Sequence, residues 1–247
     1  MNKKIYFGLF LPLLLFVSCN SEDAPDLLKT RGSYVERTQS TGYLWGIDAG
    51  KGIDVILQQG DEPQLLIKGW KNLLPNVSIH FDTVKSILHI EDKNKYDFVR
   101  SYDNRTTIHV TYVTQPGYFR VEADANMQTL DTLRNEFLFL GEYGGGNASF
   151  LVNNSSIVIG VNMVVDVHIS GKTNFLDITN WGKAPLRFED LACNEAKVTH
   201  HGPSNVFVNV RDILTAELFS TGNIYYSGNP TIKEVRHAKG KLYQNKN

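Results

Sequence analysis

Cysteine is scarce in this sequence, and neither sign of charge is in large excess. Cys19 and Cys193 are the two cysteines among 247 residues. If the first of them is lipidated, as argued below, no disulfide can form within the mature chain, and a zinc site built from cysteine pairs is also excluded. The formal net charge of −1 gives no concentrated basic face, so we expect no nucleic-acid partner.

A hydrophobic run long enough to span a membrane as a helix is also missing. The apolar stretch at the N-terminus, from Ile5 to Val17, has 13 residues, whereas a spanning helix needs roughly 20. Because Lys3 and Lys4 precede this stretch, the N-terminus has the charge and the length of a secretory signal. The sequence therefore predicts an exported protein with a signal peptide over residues 1–18.

The end of the signal resembles the lipobox of bacterial lipoproteins. It reads Leu15-Phe16-Val17-Ser18-Cys19, with a small residue directly before the cysteine and Phe16 where lipoboxes usually have leucine. The resemblance implies that the sulfur of Cys19 is lipidated and that Cys19 becomes the first residue of the mature chain. The alternative is an ordinary cleaved signal with a cysteine nearby.

The residues that follow Cys19 are polar and acidic, which is typical of a tether. We predict this tether over residues 19–32, and its acidic run Glu22-Asp23 resembles the surface-export signals of some Gram-negative lipoproteins. Two or more acyl chains hold a protein stably on a membrane that it does not cross. The expected membrane partner is therefore the outer membrane, reached through the lipid anchor, with display at the cell surface as a further expectation.

The mature part reads as β structure. Without residues 1–18 it is still long enough for one sizeable domain or two small ones. Short alternating runs of Val, Ile, Thr, Tyr and Phe, separated by Gly, Asn, Asp and Pro, predict strands at Ile53–Leu57, Leu65–Lys68, Val77–Phe81, Ile87–Ile90 and Thr107–Val113. Only Asp131–Leu140 could be read as a helix. We predict an all-β domain over residues 33–247, which could divide into 33–125 and 126–247.

An 18-residue repeat near the C-terminus predicts how the strands stack. Small residues fall at Gly202, Ser220 and Ala238, aliphatic residues at Val206, Ile224 and Leu242, and aromatic residues at Phe207, Tyr225 and Tyr243. A short fixed period is typical of stacked coils, none of which can bury its apolar face alone. The predicted fold is a single-stranded β-solenoid similar to a parallel β-helix, with an N-terminal half that packs on these coils or continues into them.

Strand alternation then assigns the repeated residues to two sides. If Val206, Ile224 and Leu242 point inward, the residues that follow them must point outward. Phe207, Tyr225 and Tyr243 would therefore form an exterior aromatic ladder. One hypothesis is that this ladder faces a ligand and stacks on sugar rings, and the simpler alternative is that the rings only cover neighbouring coils.

Two parts of the sequence carry a resemblance to a known family. The first is Ile53 to Val113, and the second is Ser220 to Pro230, which is similar to a terminal Gly-x-Ile-x-Tyr-x-Gly-x-Pro signature and is followed by Lys239-Gly240-Lys241-Leu242. Over about residues 43–245 the chain resembles the head GIN family of putative auto-transporter adhesins, most loosely at His200-His201-Gly202-Pro203. The resemblance implies a β-solenoid with an adhesive or scaffolding role and brings no catalytic residues with it.

Motifs for nucleotide or metal binding are incomplete. Ser170-Gly171-Lys172-Thr173 ends like a phosphate-binding loop, but the glycine that the motif needs at position 166 is an aspartate. His200 and His201 suggest a metal, yet adjacent residues of a strand point to opposite faces and could not easily bind one ion. We therefore expect no metal site and no cofactor.

Acid–base chemistry has only weak candidates. Asp166 and His168 are two positions apart, so on a strand they share a face, but no third partner is evident. Arg187, Glu189, Asp190 and Glu195 cluster in the sequence without a paired spacing. We predict no catalytic residues and a cell-envelope lipoprotein that acts as an adhesin or scaffold, with a glycan or a surface protein as partner. The alternatives are a polysaccharide-active β-helix enzyme and a purely structural envelope protein.

Overall fold

The structure is a computed structural model that describes residues 29–95, 104–122, 124–142, 145–163 and 166–245. Its strands are β1 Tyr34–Ser40, β2 Gly46–Ala49, β3 Ile53–Gln59, β4 Gln64–Trp70, β5 Val77–Asp82, β6 Ile87–Asp92, β7 Thr106–Tyr112, β8 Tyr118–Val121, β9 Asn126–Thr129, β10 Phe137–Glu142, β11 Asn147–Val161, β12 Asp166–Asn180, β13 Leu186–His200, β14 Val206–Leu218, β15 Ile224–Ser227, β16 Thr231–Arg236 and β17 Leu242–Gln244. One short 3-10 turn, Leu74–Asn76, interrupts them. Residues 131–140, which could be read as a helix, do not form one and lead into β10 instead. This segment is a strand because β10 pairs in register with β11 on one side and with β8 on the other.

The strands form a β-solenoid of about six turns, which confirms the predicted fold. Its coils have two flat faces. Face A stacks β6, β2, β8, β10, the second halves of β11 to β14, and β16, while face B stacks β7, β3, β9, the first halves of β11 to β14, β15 and β17. All of these pairings are parallel, so a residue lies directly above its counterpart in the next coil.

The 18-residue period holds only at the C-terminal end. Val206 pairs with Ile224, and Ile224 pairs with Leu242, in one column as predicted. Upstream the step is longer, since Val206 is itself paired with Leu186. The largest step joins Gly46 of β2 to Tyr118 of β8, because β4 to β7 are inserted between β3 and β8.

Aliphatic side chains fill the space between the two faces. One buried cluster runs through the described coils, and Ile47, Phe119, Ile159, Val198 and Val206 are each 0% exposed within it. Burying such a side chain stabilises the fold by about 1.5–3 kcal/mol relative to leaving it in water. Because inward and outward residues alternate along every strand, the outer residues are free to vary in chemistry.

The N-terminal end of the stack is closed by antiparallel strands from the insertion. β4 pairs with β7 and then with β1, and β5 pairs with β6. Leu65 and Ile67 of β4 and Leu73 after it are at most 1% exposed. These residues cover the first coil with apolar side chains.

The C-terminal end is closed differently. In β16, the position stacked below Ala216 holds Glu234, and the position below Leu218 holds Arg236. The two side chains form an ion pair, with Arg236 Nε 2.8 Å from Glu234 Oε1. Charges at inward positions of an edge strand disfavour pairing with another sheet, so the last coil ends the solenoid with polar groups. Among the described residues, no helix is long and apolar enough to cross a membrane.

Candidate functional site

The exterior of face B carries two rows of side chains that run along the solenoid axis. The first row includes Thr107, Asp54, Asn126, Asn147 and Asp166. The second row includes His109, Ile56, Gln128, Ser149, His168, Arg187, Phe207, Tyr225 and Tyr243. Parallel pairing in register puts each member about 4.8 Å from the next.

A shallow groove lies over the first coils of these rows. It encloses about 640 Å³, and its outward-facing lining comprises Asp54, Ile56, Thr107, Asn126, Gln128, Asn147, Ser149, Asp166 and His168. The lining combines amides, hydroxyls and carboxylates with one half-buried aliphatic side chain, Ile56. Such a mixture can both donate and accept hydrogen bonds.

Hydrogen bonds order one wall of the groove. Arg105 Nε donates to Asp54 Oδ1 at 2.7 Å, and the Asn126 side-chain amide donates to the same oxygen at 2.6 Å. The Asn147 amide then donates to Asn126 Oδ1 at 2.7 Å. These bonds form an amide ladder, Asp54–Asn126–Asn147, which is anchored by Arg105. Sequence reasoning missed this ladder because its members lie far apart in the sequence and follow no fixed period.

The aromatic ladder lies farther along the second row. Phe207 and Tyr225 are stacked with ring centroids 5.0 Å apart, and Tyr225 and Tyr243 are stacked 5.2 Å apart. The guanidinium of Arg187 lies 4.6 Å from the centroid of Phe207, within the range of a cation–π contact. The structure therefore brings the three predicted rings together and adds a cation above them.

Stacking determines which parts of the rings a ligand could reach. The rings are nearly parallel, with interplanar angles of 15° and 23°, so each covers a face of its neighbour. Arg187 covers the remaining face of Phe207. Tyr243 is 42% exposed; Tyr225 stacks on one of its faces, and no other described ring or cation stacks on its second face. A sugar ring would find this face, rather than a row of three faces, available for stacking.

The acid–base candidates are distributed over both faces. Asp166 and His168 both line the groove, as their spacing predicted. His168 forms an ion pair with Asp190, with His168 Nε2 3.8 Å from Asp190 Oδ2. Arg187 and Glu189 pair with each other at 3.1 Å on the exposed face, whereas Glu195 lies on face A. The segment 170–173 is part of β12 rather than a phosphate loop.

His200 and His201 diverge, as strand alternation predicted. His200 is 0% exposed: its Nε2 contacts the Ser204 carbonyl oxygen at 2.7 Å, and its Nδ1 contacts the Asn180 amide nitrogen at 3.2 Å. Since a carbonyl only accepts and Nδ1 faces a donor, the neutral Nε2–H tautomer satisfies both contacts. Burial holds the pKa of His200 below its ordinary value. No cluster of three or more metal-binding side chains occurs among the described residues.

His201 instead belongs to a second ring stack that sequence reasoning missed. Trp181, His201, Phe219 and His237 follow the ends of four successive face A strands, with centroid distances of 5.1, 4.4 and 4.3 Å. The pairs Trp181-Gly182 and His201-Gly202 were a signal for this stack, but the following loops differ in length. These rings also cover one another's faces.

The structure describes one of the two cysteines, Cys193. Cys193 is buried, its thiol donates to the Asn209 carbonyl oxygen at 3.2 Å, and burial raises its pKa to about 12. A thiol held in its neutral form is a poor nucleophile. Cys19 and the predicted signal lie outside the described residues.

Comparison with known protein families gives one match. Residues 45–230 match the family model described as putative auto-transporter adhesin, head GIN domain. No match to the sequence was found among curated proteins. The match covers most of the chain and includes both face B rows up to Tyr225.

Solved structures with the same fold come from Bacteroides and Parabacteroides species. A putative adhesin from Bacteroides fragilis is 18% identical, has a TM-score of 0.76, and covers 86% of this chain and 97% of its own. A putative lipid binding protein from Parabacteroides distasonis is 16% identical, with a TM-score of 0.67 and coverage of 87% and 98%. A putative adhesin from Parabacteroides merdae is 19% identical, with a TM-score of 0.58 and coverage of 87% and 97%. At these identities the likeness establishes the fold.

Proposed function

The chain belongs to the head GIN family of putative auto-transporter adhesins, and we propose that it is an adhesin that binds an extended ligand along face B. The observation that carries this proposal is the continuous outer row from Ile56 to Tyr243. Seven steps of strand spacing make this row about 34 Å long. Two of the similar structures are named putative adhesins, which supports the same role.

Display of face B requires the chain to be held at the cell envelope. We propose that Cys19 carries the lipid anchor and that the chain lies on the outer membrane, facing outward. An adhesin family fits a surface or extracellular protein. Growth with a labelled fatty acid tests the anchor: Cys19→Ser should lose the label and the membrane association, whereas Cys193→Ala should retain both.

Surface display is tested separately by digesting intact cells with protease and immunoblotting the product. We expect the chain to be cleaved on whole cells while a periplasmic marker stays intact. If the chain resists digestion until the envelope is broken, it does not face outward and the adhesin role loses its basis.

The rival polysaccharide enzyme is disfavoured by the spacing of the groove carboxylates. Asp54 and Asp166 are separated by three strand spacings, about 14 Å, whereas glycosidases hold their two carboxyl groups roughly 5 to 9.5 Å apart. The Asp54 carboxylate is also engaged by Arg105 and Asn126. The groove therefore suits binding better than hydrolysis.

The uncovered face of Tyr243 allows a direct test of ligand binding. Tyr243→Ser should weaken binding to a glycan array by roughly tenfold, since stacking on an aromatic face is worth about 1 kcal/mol or more. Phe137→Ser, which removes a similarly exposed ring from face A, is the matched control and should bind normally. If Tyr243→Ser lowers the melting temperature and the parent chain binds no glycan, the purely structural role is favoured instead.

A further inference from the structure

We propose that the groove binds a neutral glycan through hydroxyl groups that donate to Asn147 Oδ1 and to the carboxylate of Asp166. This inference rests on the proposed function, since it names the ligand class for the same face B. It follows from the direction of the amide ladder and from where that ladder ends.

The direction of the ladder is set by its first member. The Asp54 carboxylate can only accept, and it already accepts from Arg105 at 2.7 Å. Asn126 must therefore turn its NH2 group toward Asp54, which leaves Asn126 Oδ1 to accept from Asn147. The same logic makes Asn147 present its own oxygen away from the ladder.

The next coil cannot continue this chain of donors and acceptors. Asp166 is the register neighbour of Asn147, and a carboxylate has no hydrogen to donate to Asn147 Oδ1. Pro185 occupies the corresponding place one coil farther on, two positions before Arg187, and its side chain has neither a donor nor an acceptor. Among the described residues, the ladder thus stops at two adjacent acceptors inside the groove.

Beyond Pro185, the first row again contains asparagines, but their side chains bond to the backbone rather than to one another. Asn205 Oδ1 accepts from the backbone N–H of Asn223 at 3.2 Å, and Asn223 Oδ1 accepts from the backbone N–H of Lys241 at 3.0 Å. An asparagine at 166 would have continued the upper ladder. Departures from a local pattern are expected at functional or strained sites.

The groove lining indicates the class of donor. Ser149 and Gln128 lie near the acceptor pair, Thr107 lines the far end of the groove, and all three supply donors as well as acceptors. Hydroxyl groups can reciprocate both kinds of bond, whereas an ammonium ion can only donate. Ile56 adds a half-buried apolar side chain to the same groove, which fits the C–H face of a sugar. These features favour a polyhydroxylated ligand over a basic peptide.

The first arm of the test measures stability and needs no ligand. Asp166→Asn should extend the ladder by one amide hydrogen bond and raise the melting temperature by a few degrees. Asp166→Ala removes the same carboxylate without supplying an amide and should not raise it. Glu195→Gln, which removes one exposed charge from face A, controls for net charge and should melt like the parent chain.

The second arm measures binding by calorimetry of the mature chain with linear neutral hexasaccharides of glucose, mannose and galactose, with hexalysine and with Ca²⁺ alone. We expect a neutral hexasaccharide to bind, and Asp166→Asn and Asp166→Ala to weaken it at least tenfold, while Glu195→Gln binds normally. Binding of hexalysine or Ca²⁺ in place of every sugar, equal binding by all variants, or no sugar binding by the parent chain overturns the inference. The proposed function stands in those cases if surface display and Tyr243-dependent binding are found, so the two failures are distinguishable.

Discussion

The two ends of the solenoid are closed by different kinds of side chain, apolar at the N-terminal end and charged at the C-terminal end. At the N-terminal end, the inserted strands β4 and β5 cover the first coil with aliphatic side chains such as Ile67, which is 0% exposed. At the C-terminal end the last coil places Glu234 and Arg236 where earlier coils have aliphatic residues. An apolar cap adds core, whereas a charged cap adds none but protects the edge from other chains.

This difference has a consequence for where stability resides. The N-terminal cap is part of the continuous buried cluster, so its residues should contribute as core residues do. The C-terminal coils belong to the same cluster, but they also require close approach of their backbones, since Gly182, Gly202, Gly222 and Gly240 follow the face A strands in successive coils. The ends should therefore respond differently to the same kind of substitution.

The largest effect is expected at the glycines of the C-terminal coils. A Cβ at position 222 would lie 2.0 Å from the Ser204 carbonyl oxygen and 2.3 Å from His200 Nε2. Gly222→Ala should therefore lower the free energy of unfolding by roughly 4 kcal/mol, as measured by urea titration. Gly160→Ala is the control, because a Cβ there meets nothing within 4 Å, and it should stabilise the strand by about 0.5 kcal/mol. Equal effects would mean that the coils are not closely stacked.

The caps themselves can be compared with one type of substitution. Ile67→Ala in the N-terminal cap should cost about 3 kcal/mol because a buried cavity is left behind. Ile232→Ala in the last coil, where the side chain is 37% exposed, should cost less than about 1 kcal/mol. Chemical denaturation of both variants tests the ranking, and a reversed order would show that the C-terminal coil is the one that supports the core.

Removing the inward charges tests the second half of the comparison. The double variant Glu234→Val, Arg236→Leu would present an apolar edge, and we expect it to self-associate more strongly than the parent chain. Light scattering after size-exclusion chromatography reads the mass. Lys233→Val places an apolar group on the outward side of the same strand and should leave the mass unchanged. If the mass of the double variant is unaltered, the two charges do not protect this edge from association.

The smallest effect expected is a dependence on pH. Burial lowers the pKa of His200 below its ordinary 6.5, so the folded chain takes up this proton less readily than the unfolded chain. The contribution of His200 to the free energy of unfolding should then be constant above pH 7 and fall as the pH decreases through 6.5. His109, whose pKa burial also lowers, contributes with the same sign. His200→Gln should flatten the profile measured by urea titration, and an unchanged slope would exclude His200 as its source.

Much of the fold could be predicted because it depends on local alternation. The 18-residue spacing of Val206, Ile224 and Leu242 placed these residues in one column, and the structure agrees. Alternation also separated the buried His200 from the stacked His201. The signal peptide, the lipidated Cys19 and the two-part division at residue 125 stay predictions.

The groove could not be predicted, because its members are distant in the sequence. Asp54 meets Asn126 only across a step of 72 residues, because β4 to β7 lie between β3 and β9 in the sequence, and no fixed period reveals that step. The ring faces that would bind a sugar were also beyond sequence reasoning. Spacing indicates that Phe207, Tyr225 and Tyr243 share a column, but only the packing determines that they cover one another.

The sequence by itself determined which side of each strand is apolar, since a period of two assigns every residue to one face or the other. It thereby determined an all-β solenoid and the exterior position of its rings. The tertiary structure alone decided which exterior residues become neighbours, because coil length and insertions set the register between coils. Asp54, Asn126, Asn147 and Asp166 form one row for that reason, and the groove depends on this register.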